Sequence, residues 1–358
     1  MNQNYYALIM AGGVGSRFWP VSTQKFPKQF HDMLGTGESL LQRTFNRLEK
    51  LIPASNILIA TNAQYEDLVF NQLPFISKNQ VLLEPVMRNT APCILYAASK
   101  IYNSNPNAVM IVAPSDHWID DEKEFVKNIK QAFDACEKQD ILMTLGIKPS
   151  SPNTGYGYIN YKKSENSIKK IIQFTEKPTL ENAAKYVESS DYLWNAGIFI
   201  WSVKSILTSF NNYLPNMKQL FETDKEVWNS KDECDFIYDH YEKSENISID
   251  YGIMEKAENS YVLPVDFGWN DLGTWGSLYE KLEKDIDKNA LIGGEVIFRN
   301  STNNMVKTST HKKVVIQGLN NYIVIENEDV ILICPKQQEQ DIKQITIDVK
   351  NSFGPDYT

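Results

Sequence analysis

Glycines and positive charges follow the first apolar run of the sequence. Residues 5–10 predict a buried strand, which leads directly into Ala11-Gly-Gly-Val-Gly-Ser-Arg17. Three glycines in this stretch would let the backbone turn sharply and approach a ligand closely: Gly12, Gly13 and Gly15. Backbone amides left free in such a turn form an anion site, to which Arg17 and Lys28 add full positive charges. The stretch therefore predicts a phosphate-binding loop.

The loop fits neither of two common nucleotide-binding motifs. An ATPase-type phosphate loop requires Gly-Lys followed by Ser or Thr, whereas Gly15 is followed by Ser16 and Arg17. The dinucleotide fingerprint Gly-x-Gly-x-x-Gly requires a third glycine where Phe18 stands. Arg17 and the later Pro-Lys pair, Pro27-Lys28, make the stretch more specific than a glycine-rich turn alone.

Two aspartates stand where a strand is predicted to end or a helix to begin. Asp116 lies in Pro114-Ser-Asp-His117, directly after an apolar run, and Asp271 lies just before a predicted helix at Thr274. Aspartate at such positions often caps a helix or a turn, so capping and function are equally good interpretations of each.

Three further stretches have polar residues at or near the ends of predicted strands and helices. Glu84-Pro-Val-Met-Arg-Asn-Thr-Ala-Pro92 has Asn89 and Thr90 at a helix start, where capping is the alternative interpretation. Glu176-Lys177 ends a predicted strand before Pro178 and could be a surface ion pair or part of a cleft loop. The segment 194–199 offers the amide of Asn195 and a close-approach glycine, Gly197.

The pattern that must position these residues is an alternation of strands and helices. Apolar runs predict strands at 57–61, 81–84, 109–113 and 141–146, with amphipathic helices between them. This order predicts an α/β fold with a mostly parallel, Rossmann-like sheet flanked by helices. Ligands of such sheets bind beyond the carboxyl ends of the strands, where the glycine and polar clusters fall.

The pattern changes twice after this region. Strands near 154–159 and 168–176 and a mainly helical stretch at 203–258 precede short β runs at 296–298, 313–316, 322–325 and 330–333. Asn-rich turns separate these last runs, and a helix is predicted at 337–349. We predict a domain at 1–286 and a β-rich domain with a terminal helix at 287–358.

Composition narrows the functional classes. The 358 residues carry a formal net charge of -9, which argues against non-specific nucleic-acid binding. The four cysteines are scattered without a Cys-x-x-Cys pair, so we expect reduced thiols and no zinc site. No signal peptide or membrane-spanning run is predicted, and we expect a cytoplasmic protein.

The glycine loop with Pro27-Lys-Gln-Phe30 resembles the mannose-1-phosphate guanylyltransferases, and the block 84–92 is especially specific to that group. The other stretches resemble the family's blocks in the same order, from residue 7 into the β-rich tail. Departures occur at Thr23-Gln24 and at Ala196. The resemblance implies the nucleotidyltransferase fold, a β-helix-like tail and the short form without the isomerase domain that larger relatives carry after the tail.

The resemblance also implies a role for each residue of the site. Phosphate-binding and catalytic roles would fall to Arg17, Lys28 and, at the sugar phosphate, Lys177. The nucleotide would be bound by Ala11, Gly12, Gly13, Gly15, Ser16, Glu84, Asn89 and Thr90. The sugar would be held by Gly157, Glu176, Asn195 and Gly197. Asp116 and Asp271 would bind Mg²⁺, because paired carboxylates suit a hard dication.

The function implied is the formation of GDP-mannose and pyrophosphate from GTP and α-D-mannose 1-phosphate. One alternative is a pyrophosphorylase for another base or sugar, against which the block 84–92 argues. A second is a non-catalytic sugar-nucleotide-binding homologue, which loss of Arg17, Lys28 or an aspartate would favour. A nucleotide-sugar glycosyltransferase would show Asp-x-Asp, which Asp116-His-Trp does not supply. The β-rich tail has strand edges that pairing with a second subunit would cover, so we expect a homodimer.

Overall fold

The computed structural model describes residues 1–224, 226–309 and 311–358. The chain forms two compact units, each made of several segments. The first unit comprises Met1–Gly12, Thr44–Ser115 and Ile119–Trp269. The second comprises Gly13–Arg43, Asp116–Trp118 and Asn270–Thr358. The second unit therefore contains the tail together with residues 13–43, 116–118 and 270–286. The domain boundary at residue 286 rests on the sequence pattern alone and stays a prediction.

The first unit alternates strands and helices along the chain. Its strands are β1 (Tyr5–Met10), β2 (Ile57–Asn62), β3 (Val81–Glu84), β4 (Val109–Pro114), β5 (Leu142–Ile147), β6 (Tyr158–Tyr161), β7 (Lys169–Thr175), β8 (Tyr192–Ser202) and β9 (Ser260–Val265). Its helices are α2 (Glu66–Gln72), α3 (Thr90–Ser104), α4 (Glu122–Lys138), α5 (Leu180–Ser189), α6 (Val203–Tyr213), α7 (Pro215–Leu220) and α8 (Glu233–Tyr241). Helix α1 (Leu40–Glu49) begins in the second unit and continues into the first.

These strands form one sheet of nine strands among the described residues, in the order β3-β2-β1-β4-β8-β5-β9-β7-β6. Parallel pairing joins β1 to β2 and β4, β2 to β3, and β5 to β9, whereas β7 and β8 run antiparallel to their partners. The sheet is therefore mixed, and seven of its nine strands (all except β7 and β8) run in the same direction, which confirms the predicted fold class. Antiparallel β8 is inserted between β4 and β5, a position that the helix-strand alternation could not reveal.

Burial explains why the central strands form where they do. Ala7, Leu8 and Ile9 of β1 are fully buried, because helices cover a mostly parallel sheet on both faces. On one side α3 has a continuous buried run, 91–101, most of which belongs to an apolar cluster of the unit. Helix α4 begins where the Asp121 carboxylate accepts hydrogen bonds from two backbone amides.

The second unit contains the β-rich tail. Its strands are β10 (Ala290–Ile292), β11 (Glu295–Arg299), β12 (Met305–Lys307), β13 (Lys313–Gln317), β14 (Tyr322–Asn327) and β15 (Val330–Pro335), and its helices are α9 (Trp275–Lys281) and α10 (Ile342–Phe353). Strands β10, β12 and β14 stack in parallel, as do β11 and β13, whereas β15 is antiparallel to β14. Parallel stacking of such short strands confirms the predicted β-helix-like tail.

Buried asparagines and aromatic residues stabilise the second unit. Asn304 is fully buried and donates to Asn289 Oδ1 and to the Leu319 carbonyl, so its amide joins successive levels of the stack. The Trp19 indole donates to the Tyr357 carbonyl, and the Trp275 indole donates to the Trp19 carbonyl. Trp19, which follows the glycine loop in sequence, thus packs within the unit that contains the tail. No helix of the described residues is long and apolar enough to cross a membrane.

Candidate active site

A cavity of about 280 Å³ in the second unit contains the charged residues of the predicted phosphate site. It is lined by Gly15, Ser16, Arg17, Phe18, Lys28, Asp116, His117, Asp271, Leu272, Gly273 and Lys343. Gly15 has a φ of 69°, and a Cβ built there would lie 2.5 Å from Lys28 Cβ. Glycine is therefore required at this position both for the backbone conformation and for the packing of Lys28.

Lys28 connects the two aspartates. It lies in a short helical turn, Lys28–Phe30, that follows the extended Pro27, and its side chain is only 3% exposed. Its Nζ donates to Asp116 Oδ2 at 2.9 Å and to the Asp271 carbonyl at 3.1 Å. Three residues that are distant in sequence therefore meet in one cavity, with a cation between two acidic residues.

The charge of Asp116 is set by its neighbours. Burial by itself would raise the pKa of this carboxyl, but the Lys28 ammonium and, next, His117 hold the pKa below its usual value. The side chain remains about one-third exposed (34%). Asp116 is therefore ionised at neutral pH and accepts from Lys28, which favours the functional interpretation of this residue over a capping role.

Asp271 combines both interpretations. Its Oδ1 accepts from the Gly273 amide at 3.1 Å, which is a local turn contact. The cap of α9 is Thr274, whose hydroxyl accepts from the Ser277 amide. Asp271 thus shapes the turn before the helix while it lines the cavity.

The donor set of this cavity suits a divalent cation that arrives with phosphates. Asp116 and Asp271 offer hard carboxylate oxygens, while no group of three or more His, Cys, Asp or Glu side chains among the described residues could form a complete metal cage. Mg²⁺ is typically held by one or two carboxylates together with water and substrate phosphate oxygens. The residues present therefore fit Mg²⁺.

A second polar cluster surrounds Glu84, at the carboxyl end of β3 in the first unit. Its carboxylate is buried, and the Tyr241 hydroxyl donates to Oε1. A Cβ built at Gly12 would lie 3.1 Å from Oε2, so the glycine loop passes close to the second oxygen. Burial raises the pKa of Glu84 to about 7, against the lowering effect of the Tyr241 hydrogen bond.

Asn89 and Thr90 do not cap α3 with their side chains. Asn89 has a positive φ of 60° and donates from its amide to Asn246 Oδ1, and Thr90 Oγ1 accepts from the Ile249 amide. The capping interpretation of these two side chains is therefore wrong. They fasten the segment around 246–249 to the start of α3.

The residues predicted to hold the sugar meet elsewhere in the first unit. A Cβ at Gly157 would lie 2.5 Å from Glu176 Oε2 and 3.4 Å from Asn195 Cβ, so these three residues are in contact. Asn195 Oδ1 accepts from the Thr144 hydroxyl and from the Gly197 amide. These bonds fix the orientation of the Asn195 amide and direct its Nδ2 to another acceptor.

That acceptor, Asp250, was not predicted from the sequence. Asn195 Nδ2 donates to Asp250 Oδ1 at 3.0 Å, and burial together with the charge of Glu176 raises the pKa of Asp250 to about 7. A carboxylate inside the apolar stretch 247–254 was the signal that could have identified it. Tyr241 was also missed, because an aromatic residue at a helix end is usually interpreted as part of the core.

Lys177 lies at the rim of this cluster. Its backbone φ is 47°, its side chain is largely exposed, and its Nζ is 3.3 Å from Glu176 Oε1. Both interpretations made from the sequence, a surface ion pair and a cleft residue, are compatible with this geometry.

The chain is similar to known proteins along nearly its whole length. Residues 6–288 match the nucleotidyl transferase family. A mannose-1-phosphate guanylyltransferase of Escherichia coli is 34% identical over 355 residues, covering 96% of this chain and 75% of the relative. The chain belongs to the mannose-1-phosphate guanylyltransferase family.

Further matches agree with this membership in the mannose-1-phosphate guanylyltransferase family. The relative from Salmonella muenchen is 36% identical over 349 residues, covering 94% of this chain and 72% of its own length. Residues 294–348 match the mannose-phosphate isomerase/GMP-like β-helix domain. A crystal structure from Thermus thermophilus, described as a mannose-1-phosphate geranyltransferase, has a TM-score of 0.87 at 28% identity and covers 97% of this chain and 99% of that one.

Proposed function

We propose that the chain transfers a guanylyl group from GTP to α-D-mannose 1-phosphate, forming GDP-mannose and pyrophosphate. The observation that carries this proposal is the cavity in which Arg17, Lys28, Asp116 and Asp271 converge beside Gly15. Its combination of three cationic side chains, Lys343 being the third, with two carboxylates and a tight glycine turn suits phosphate groups with a divalent cation. Family membership directs the choice of reaction.

The chemistry requires no protein nucleophile. An oxygen of the sugar phosphate forms a bond to the α-phosphorus of GTP, and the bond from that phosphorus to the bridging oxygen breaks as pyrophosphate leaves. The attacking oxygen is already anionic, so alignment and stabilisation of the developing charge account for the rate. Lys28, pre-positioned by Asp116, and Arg17 would neutralise the phosphates and the leaving group.

Asp116 and Asp271 would hold Mg²⁺ in this site. When bound, the ion would supply a Lewis acid that neutralises phosphate charge. The protein's own contribution is to hold two carboxylates at one cavity and to place the Lys28 ammonium against the Asp116 carboxylate and the Asp271 backbone carbonyl.

Glu84, with Asn89 and Thr90, is the proposed guanine site, and Ala11, Gly12, Gly13 and Ser16 would contact the nucleotide through the loop. Guanine presents an N1–H and an N2 amino donor edge, which a carboxylate accepts. Adenine lacks this edge, so a buried acceptor would be left unpaired, and such mismatches discriminate strongly.

The mannosyl group would lie against Gly157, Glu176, Asn195 and Gly197, with Lys177 on the sugar phosphate. Glu176 and the oriented Asn195 amide are hydrogen-bonding groups of the kind that recognise sugar hydroxyls. The exposed Lys177 ammonium could move from Glu176 to the phosphate without breaking a buried contact.

The proposal is tested by pyrophosphate release from purified protein with Mg²⁺. GTP with mannose 1-phosphate should react far faster than ATP, UTP or dTTP with the same sugar phosphate, and GDP-mannose with pyrophosphate should yield GTP. A preference for UTP or dTTP with glucose 1-phosphate would favour the alternative base or sugar. Failure of all pairs would favour the non-catalytic homologue.

The same proposal includes a cytoplasmic location, where GTP is available, and a homodimer. Exposed apolar side chains support the dimer. Ile297 of β11 and Val315 of β13 are directly paired and are 60% and 66% exposed, and Ile331 and Ile333 of β15 are also exposed. A second copy of the chain would cover these side chains.

A further inference from the structure

We infer that Tyr241 is a positioning residue for the Glu84 carboxylate, which it holds in place and in its ionised form so that the carboxylate can accept from the nucleotide base. The inference rests on the proposed function, since it assigns Glu84 to the base. Tyr241 is the last residue of α8 and is completely buried, and its hydroxyl donates to Glu84 Oε1.

The two oxygens of Glu84 lie in different surroundings. Oε1 accepts the Tyr241 hydrogen bond, whereas Oε2 is the oxygen that lies beside Gly12, where an added Cβ would come within 3.1 Å. A larger residue at position 12 would press on Oε2, so glycine keeps this side accessible. The carboxylate is thus fixed by one oxygen and presents the other toward the loop predicted to bind the nucleotide.

Helix α8 is itself anchored at its other end. Glu233, its first residue, accepts from Lys100 Nζ at 2.7 and 2.6 Å and from the Tyr96 hydroxyl at 2.8 Å, all of them buried. Lys100 and Tyr96 belong to α3, the helix that begins at Thr90. A helix fixed at its start by an ion pair and at its end by Tyr241 has little freedom to let Glu84 turn away.

The charge of Glu84 depends on the same contact. The titratable neighbours of Glu84 are Tyr241 on α8 and Cys93 on α3. The pKa of each is raised, mainly by burial and next by the negative charge of Glu84, so both groups are neutral at pH 7. Glu84, with its pKa raised to about 7 by burial, is therefore the group of this cluster that changes charge near neutrality. Removing the Tyr241 hydroxyl removes the hydrogen bond that favours the ionised form.

The test compares Tyr241→Phe with the wild type and with Tyr5→Phe. Tyr5 is a matched control, because its buried ring also donates from its hydroxyl to a carboxylate, Asp134 Oδ1, at 2.9 Å. Selective ¹³C labelling of glutamate carboxyls, with Glu84→Gln for assignment, reports the titration of Glu84 without catalysis. We expect titration near pH 7 in the wild type and in Tyr5→Phe, and about one unit higher in Tyr241→Phe.

Kinetics supply the functional half of the test. At pH 7, kcat/KM for GTP should fall about five- to sixfold in Tyr241→Phe, because the ionised fraction of Glu84 falls from about one half at a pKa of about 7 to about one eleventh at a pKa one unit higher. The value should recover toward the wild type as the pH rises. The KM for mannose 1-phosphate should not change. An unshifted Glu84 titration, or a loss that is the same at every pH, would overturn the inference and leave Tyr241 a packing residue.

Failure of the proposed function would be visible separately. In that case the wild type releases no pyrophosphate from GTP, and calorimetric binding of the nucleoside triphosphate that the wild type binds most tightly replaces the kinetics. A pH-dependent weakening confined to Tyr241→Phe would then still support the inference, and unchanged binding would contradict it.

Discussion

Replacing Lys28 by methionine separates the catalytic and the structural roles of the cavity. Methionine keeps the length of the buried stem and removes the charge that binds Asp116 Oδ2 and the Asp271 carbonyl. If Lys28 serves the transition state, turnover should fall much more than GTP affinity.

The loss of stability can be bounded from exposure. Removing one partner of a fully buried ion pair costs about 3–5 kcal/mol, whereas an exposed pair contributes at most about 1 kcal/mol. Lys28 is 3% exposed, but Asp116 is 34% exposed, so solvent can compensate the carboxylate that remains. We therefore expect Lys28→Met to lower the free energy of unfolding by roughly 1–3 kcal/mol.

We expect kcat to fall by more than this decrease in the free energy of unfolding would cause by itself. Removing one preorganised group that stabilises transition-state charge typically lowers kcat by about 10²–10³-fold. Arg47→Met is the matched control: Arg47 and Glu122 are 4% and 26% exposed, with Nε and Oε1 3.7 Å apart in the first unit. It should cost comparable stability and leave kcat within a few-fold of the wild type.

The pH dependence provides a second check on Lys28. The pKa of Asp116 is lower in the folded protein than its usual value, so its ionised form stabilises the fold above the unfolded pKa of about 4. This contribution is lost as the pH falls through the lower, folded pKa. The difference in unfolding free energy between the wild type and Lys28→Met, measured by urea denaturation, should therefore be largest at neutral pH and shrink toward pH 3.

The double variant Lys28→Met, Asp116→Asn decides between the two roles. If the ion pair only holds the structure together, neutralising both partners should restore turnover, because no unpaired charge is left. If both residues serve phosphate and metal, the double variant should be no faster than either single variant. Restored turnover, or a Lys28→Met enzyme with normal kcat and only a raised KM for GTP, would refute the catalytic assignment.

Three further predictions concern other parts of the chain. Gly157→Ala should raise the KM for mannose 1-phosphate at least tenfold in steady-state kinetics, because the new methyl lies 2.5 Å from Glu176 Oε2; an unchanged KM would contradict the sugar-site assignment. Asp250→Asn should gain stability relative to the wild type between pH 5 and pH 8, as measured by urea denaturation. This follows because a pKa raised to about 7 makes the wild type lose stability as the pH rises, and a constant difference would exclude it. Replacing Ile297 and Val315 together by glutamate should convert a dimer to a monomer in light scattering; a full-length wild type that is already monomeric would remove the idea.

Strands β1 to β5 were predictable because each is a short run of mostly apolar residues. The predicted strand 81–84 coincides with β3. Strands β10 and β12 were not predicted: each has three residues, and their parallel partners lie about one stack level away in the sequence. A stack of this kind is specified by polar turns and buried amides such as Asn304, which a search for apolar periodicity does not detect.

For the candidate site, the sequence predicted the identities of several residues but not the contacts between them. The identities of Lys28, Asp116 and Asp271 could be inferred from the family's motifs, but the hydrogen bonds between them could not, since 88 and 243 residues separate their partners. Tyr241 and Asp250 lay outside every predicted motif. Tyr241 donates to Glu84, and Asp250 accepts from Asn195. Contacts of this kind join residues that are distant in sequence, so a local spacing pattern does not predict them.

Ionisation of Glu84 and Asp250 near neutral pH has opposite effects on activity and on stability. Burial raises the pKa of both carboxyls to about 7. A hydrogen-bond donor faces each one, the Tyr241 hydroxyl on Glu84 and the Asn195 amide on Asp250, and the bound base would add donors at Glu84. The ionised forms are therefore the ones that accept and position ligands, so kcat/KM should rise with pH through about 7. The folded-state pKa values exceed the unfolded ones, however, so the same ionisations lower the free energy of unfolding over the same interval. Burial is thus the main cause of both raised pKa values, with the Glu176 charge adding to it at Asp250, and a destabilising group of this kind is retained where a charged acceptor is needed for binding.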